Sequence, residues 1–171
     1  MDHAEFWTIV ESSKATSGGS FDGYADSLAS RLEALPPEKI IAFQRTFDEL
    51  RNKAYSWDLW GAAYVIGGGC SDDAFTDFRS WLISMGRETY EKALVDPESL
   101  ATVTIGPNGE EDAFFEEFAY MAARAYEEKT GRNMTYESAS SPAEPSGIEW
   151  EEDGDDLAQR YPKLHAKYGE S

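Results

Sequence analysis

The sequence predicts an all-α fold: a single-domain, irregular helical bundle of about six to seven helices with a C-terminal extended or short-helical strap. Three observations lead there. Apolar residues recur at three- and four-residue spacing along most of the first 131 positions. Strand-like alternation is nearly absent, TVTI at 102 to 105 being its single candidate, with no second strand to pair with it. Glycine, proline and serine fall between the periodic segments, where helix ends belong.

Taken in order, EFWTIVESS opens with Phe6, Ile9 and Val10 on one face and Trp7 beside it, a short amphipathic helix that breaks at TSGGS. Ser20 or Asp22 caps a second helix, whose apolar positions are Tyr24, Leu28, Leu32 and Leu35. Pro36 ends it, and Pro37 suits the first turn of a third. Ile40, Phe43, Phe47, Leu50 and Ala54 give that third helix the clearest stripe in the chain. The stripe runs on through Trp57, Gly61 and Tyr64, so the helix either continues or kinks near Ser56. WDLWGAAYVI, residues 57 to 66, is apolar on every side but far shorter than the roughly 20 residues of a membrane span, which places it at the dry centre of the bundle. Asp58 is its single charge.

Gly67 to Gly69 stop that helix, and Ser71 caps the next, which carries Phe75, Phe78, Leu82 and Met85 and closes at Gly86. RETYEKALVDP continues as helix to Pro97, and ESLA adds a turn. VTIGPNGEED is a loop built on Pro107, Asn108 and Gly109. A last long helix is predicted from about Glu111 to Thr130, with Phe114, Phe118, Met121 and Ala125 in line and Gly131 at its C-terminal end. The predicted organisation is therefore a helical domain over 1–131, a polar and acidic linker over 132–156, and a segment over 157–171 that docks on the domain. Trp150, Leu157, Tyr161, Leu164 and Tyr168 are its anchors, and Pro162 interrupts any regular helix there.

Charge excludes more than it assigns. Asp and Glu number 33 against 15 Lys and Arg, a net charge of −18. Such a surface repels phosphate backbones and anionic lipid, so neither nucleic acid nor membrane is an expected partner. A basic protein is the partner it favours. Mimicry of DNA ranks last, because the acids are scattered rather than set in a stripe. The single cysteine, Cys70, excludes an intramolecular disulfide and suits a reducing cytoplasm. MDHAEFWTIVESS lacks the basic start of a signal peptide. The expectation is a soluble cytoplasmic protein, monomer or homodimer, with no cofactor.

GGGCSDDAF, residues 67 to 75, is the one stretch that invites a chemical reading. Three glycines before a helix resemble an anion cradle, but Asp72 and Asp73 already complement the helix dipole and would repel a phosphate. The same carboxylates disfavour a Cys70 thiolate, and the only histidines, His3 and His165, lie near the two ends of the chain. Asp72, Asp73 and Asp77 offer carboxylates for Mg²⁺, yet no metal site is expected. EWEEDG at 149 to 154 mimics half of a calcium loop and fails at its twelfth position, Arg160. Asp58, set in apolar surroundings, is expected to pair with Arg79 of the following helix beside an aromatic wall of Trp57, Trp60 and Trp81.

FWTIVE, LPPEKIIAFQRTFDEL, YSWDLWGAAYVIGGGCSDDAFTDFRSWLISMGRETYEKAL and DLAQRYPKLHAKYG together resemble the bacterial family known as domain of unknown function 4240, well over residues 3 to 130 and loosely in the tail. The resemblance implies that Trp57, Asp58, Trp60, Cys70, Ser71, Asp72, Asp73, Phe78, Arg79 and Trp81 match the family signature. It carries no catalytic role to any of them. Two functions are expected. The first is a non-enzymatic protein-binding or regulatory module that uses the acidic surface. The second is a small enzyme or ligand-binding protein with an aromatic-lined pocket around Asp58, Asp72, Asp73 and Arg79.

Overall fold

A computed structural model describes residues 1–105, 113–153 and 155–169, and these form helices and connecting segments with no strand. The element order is α1 (His3–Ala15), α2 (Phe21–Glu33), α3 (Pro37–Lys53), α4 (Trp57–Gly67), α5 (Asp72–Ser84), α6 (Arg87–Val95), a 3-10 helix (Pro97–Thr102), a second 3-10 helix (Glu116–Tyr120), α7 (Met121–Thr130), α8 (Asp156–Arg160) and α9 (Pro162–Tyr168). The loop expected on Pro107, Asn108 and Gly109 lies outside the described residues.

Local chemistry sets most of these boundaries. The Ser20 hydroxyl accepts from the Gly23 N–H at 3.0 Å and starts α2. Pro37 occupies the first turn of α3, where its missing N–H costs nothing. Ser71 accepts from Ala74 at 3.2 Å and starts α5. Gly68, with φ of 65°, and Gly131, with φ of 68°, end α4 and α7 in the left-handed conformation that glycine adopts without strain. Replacing Ser71 by alanine leaves a first-turn N–H without its acceptor. Ser71→Ala is expected to lower unfolding free energy in urea by about 1 kcal/mol, and an unchanged midpoint would show that the cap contributes nothing.

The core lies among α1, α2, α3, α5 and α7. Phe6 stacks on Phe43 with ring centroids 4.7 Å apart, and Phe118 meets the edge of Tyr24 at 5.7 Å and the Phe47 ring at 5.5 Å. Trp81 and Phe78 of α5 are sealed inside. The single proton of the buried Tyr24 hydroxyl is shared between the Ser84 and Val10 carbonyls at 2.6 and 3.1 Å, which satisfies it in a dry interior and fixes α2 against α5 and α1.

Of the two courses open to the α3 stripe the structure takes the break near Ser56, and two sequence expectations change. The chain breaks at Ala54–Ser56, and the Ser56 hydroxyl starts α4 anew by accepting from Leu59 at 3.2 Å. The helix predicted from Glu111 is replaced over the described residues by a 3-10 turn followed by the shorter α7. Phe115 stacks on Phe21 at 4.1 Å, and its N–H donates to the Asp77 carbonyl of α5 at 3.2 Å, a bond that a continuous helix would have spent internally. Finally, α4 is not enclosed by body helices. Leu59, Ala62, Ala63 and Ile66 enter the core, but Trp57, Trp60 and Tyr64 form a half-buried face on the other side.

The tail reaches that face along a belt of specific contacts. Tyr136 bonds Asp48 on α3, and Asn52 Nδ2 donates to the Ser140 carbonyl at 3.3 Å. Ser146 pairs with Ser56 as an isolated parallel bridge, through Ser146 N–H to Tyr55 O at 3.0 Å and Trp57 N–H to Ser146 O at 2.8 Å. Trp150 then meets Tyr64 with centroids 4.9 Å apart, and α9 packs across α4. Tyr161 occupies space left open by Gly61: a Cβ there would lie 2.6 Å from its hydroxyl. The Glu98 carboxylate accepts the Lys163 and Leu164 N–H groups at 2.8 and 3.1 Å and holds the start of α9.

Candidate functional site

The signature residues separate into three environments. Trp81 and Phe78 are core, with rings 5.4 Å apart. Trp57 and Trp60 stack in parallel at 5.1 Å, and Trp60 stacks on Phe75 at the same separation. Trp150 closes this platform edge-on, 6.0 Å from Trp57 and 6.3 Å from Trp60. The Trp60 indole donates to the Cys70 carbonyl at 2.9 Å, which ties the glycine corner to α4. The aromatic wall is thus occupied by the chain's own tail.

Asp58 does not form the expected buried pair with Arg79. It sits in the first turn of α4 with its side chain exposed, and its carbonyl accepts the Tyr161 hydroxyl at 2.7 Å. The apolar residues around it in sequence point to the other faces of the helix, so water solvates the carboxylate. Cys70 is half-buried. Burial, with Asp77 next, pushes its thiol up to about 12, which disfavours the thiolate at neutral pH. Ser71 is spent as a cap, and Asp73 is exposed. Among the described residues no three His, Cys, Asp or Glu side chains are arranged to hold a metal ion.

Arg79 is only 7% exposed, and neutral groups receive its guanidinium. Nη1 donates to the Arg51 carbonyl at 3.0 Å, Nη2 to the Thr76 hydroxyl at 3.2 Å, and Nε to the Phe75 carbonyl at 3.4 Å. The Tyr55 and Phe75 rings lie 4.6 and 4.8 Å from its central carbon. The Arg51 carbonyl belongs to the last turns of α3, so the cation also complements that helix's negative end. Burial, then Arg51, pushes Arg79 down to about 10, which still leaves it cationic at neutral pH. With Asp72, Tyr55, Arg51 and Asn52 it lines a cleft of about 350 Å³, walled on one side by tail residues 141 to 143. Asp72 and Arg79 therefore share a cleft, and Asp58, Asp73 and Cys70 do not line it.

Next to this cleft lies a site that periodicity alone did not single out. Asp48 is 4% exposed and accepts from Gln44 at 3.0 Å, Arg51 at 3.3 Å and the Tyr136 hydroxyl at 2.6 Å. Gln44 and Arg51 stand at helical spacing from Asp48, a signal present in the sequence. Nothing in the sequence brings Tyr136 to it.

A third feature is the groove between α2 and α7, about 520 Å³ in volume. Ala25, Met121 and Ala125 form its apolar floor. Asp22, Asp26, Glu33, Glu117 and Glu128 rim it, and the one cation, Arg124, already bonds Glu117 at 3.0 Å.

Compared with known proteins, residues 1–128 match the family described as protein of unknown function (DUF4240). No curated protein and no solved structure matches the chain. The match ends in the last turn of α7, so the belt from Tyr136 to Tyr168 lies beyond it.

Proposed function

We propose, for a chain that belongs to the DUF4240 family, that it is a non-enzymatic binding module that takes a basic helical segment of a partner protein in the groove between α2 and α7. The observation that carries this reading is the rim of five carboxylates around an apolar floor, with its single arginine already paired. An amphipathic helix with small apolar residues on one face would lie over that floor, with Lys or Arg beside them to match the rim. The rim charges would guide encounter and select the sign of the partner. The alternative, a small enzyme or ligand-binding protein built on Asp58, Asp72, Asp73 and Arg79, would need those groups together. Only Asp72 and Arg79 share a cleft, which favours the binding module.

A fluorescent Lys- and Ala-rich helical peptide tests the reading by anisotropy at low and at physiological salt. Asp26→Asn/Glu33→Gln/Glu128→Gln is expected to weaken its binding about tenfold. The same neutralisation at exposed tail positions, Glu137→Gln/Glu144→Gln/Glu149→Gln, should leave it within about twofold. Equal losses in the two variants would mean that the peptide follows bulk charge, and the groove would lose its role.

A further inference from the structure

We propose that the cleft between the end of α3, the start of α5 and tail residues 141 to 143 binds a small organic monoanion through its carboxylate, held by Arg79 and Arg51. The inference is independent of partner binding at α2 and α7. It begins with a countercharge that the fold does not provide. Arg79 is sealed to 7% exposure, and among the described residues no carboxylate lies within 4.0 Å of it. A guanidinium out of water is costly without an anion. The end of α3 and the two flanking rings offset part of that cost. One N–H on each terminal nitrogen is left without a protein acceptor among the described residues. A planar guanidinium with spare N–H groups is the partner that a carboxylate accepts.

The sign of the cleft supports the same ligand. The α2–α7 groove is lined with carboxylates in excess of cations. So is the cleft around Tyr136, with Asp48, Asp77 and Glu116 against Arg51, and so is the one beneath α9, with Glu152 and Asp155. The Arg79 cleft is lined by Arg79 and by Arg51, which also bonds Asp48 at its edge, against Asp72 alone, so it lacks the carboxylate excess that a chain of net charge −18 leads one to expect of an arbitrary hollow. Asp72 also sets the class. It tolerates a monoanion beside the two arginines and opposes a dianion such as phosphate. The volume, about 350 Å³, admits a molecule of few heavy atoms. The Tyr55 hydroxyl and the Asn52 amide, whose N–H already serves Ser140, offer neutral polar contacts for the rest of the ligand.

The test follows the Arg79 Nε–Hε resonance of isotope-labelled full-length protein during separate titrations with sodium acetate, sodium benzoate and sodium phosphate at constant ionic strength. A saturable shift is expected with acetate or benzoate below about 50 mM, with phosphate at least about fivefold weaker. Because Arg79 also caps α3, the decisive variant is Asp72→Asn, which leaves that cap in place and is expected to raise phosphate affinity about fivefold. No saturable shift with either carboxylate in the wild-type protein would overturn the site. Phosphate binding as tightly as the carboxylates, or a preference unchanged in Asp72→Asn, would overturn the monoanion assignment. Peptide binding at the α2–α7 groove is read separately, so failure of one proposal leaves the other standing or falling by itself.

Discussion

Replacing Asp48 by alanine is expected to cost about 3 kcal/mol of stability and to free residues 136 to 143 from the body. The side chain is 4% exposed and gathers Gln44, Arg51 and Tyr136 around one carboxylate, so its removal leaves three donors without their acceptor. Arg51 keeps a quarter of its side chain in water and can be rehydrated, which holds the loss to the lower part of the range for a broken buried pair. The phenol supplies a second readout. Burial first, and then the Asp48 hydrogen bond and charge, push Tyr136 up from its ordinary 10 to about 12. A raised folded pKa contributes stability that is intact below pH 10 and is lost as pH climbs toward 12. In Asp48→Ala the part of that upward shift owed to Asp48 disappears, together with its share of the alkaline loss. Urea unfolding at neutral and alkaline pH, with absorbance of the ionised phenol, measures both. A variant with wild-type midpoint and an unmoved Tyr136 titration would show that the carboxylate does not anchor the tail.

Tyr161→Ala should be costlier, about 3–5 kcal/mol. The ring is 3% exposed, sits against Gly61 where no side chain fits beside it, and bonds the Asp58 carbonyl at 2.7 Å. Its loss opens a cavity between α4 and the tail and removes the main apolar anchor of the crossing. Tyr161→Phe, which gives up only the hydrogen bond, is expected to cost about 1 kcal/mol. Limited proteolysis distinguishes local from global loss. If the tail detaches as a unit, cleavage between residues 132 and 153 accelerates in Tyr161→Ala while the body to Thr130 persists. Cleavage at the wild-type rate would mean that Tyr161 does not hold the tail down.

These two residues illustrate how far spacing alone carries. Tyr161 was legible as an apolar anchor because Leu157, Tyr161 and Leu164 keep helical intervals. Its seat was not, since Gly61 reads as one small residue among several in an apolar helix. Asp48 lies among charged positions of α3, and a tyrosine 88 residues later bonds it there. Asp58 misled in the opposite sense. Apolar neighbours in sequence suggested burial, but a helix presents successive residues to different sides, and its first turn faces water.

The sequence by itself determined what local and periodic forces control: the all-helical class, a cap at Ser20 or Asp22 and one at Ser71, the glycine stops at Gly67 to Gly69 and at Gly131, and the apolar faces of α1, α2, α3 and α5. Each of these depends on groups within a few residues of one another. Only the tertiary structure decided what depends on distant segments meeting. It broke the final helix so that Phe115 reaches α2 and α5, put Arg79 against the end of α3 instead of against Asp58, and covered the α4 aromatic face with the tail. Burial and charge pairing in these places are set by partners tens of residues away, and no local pattern encodes which partner arrives.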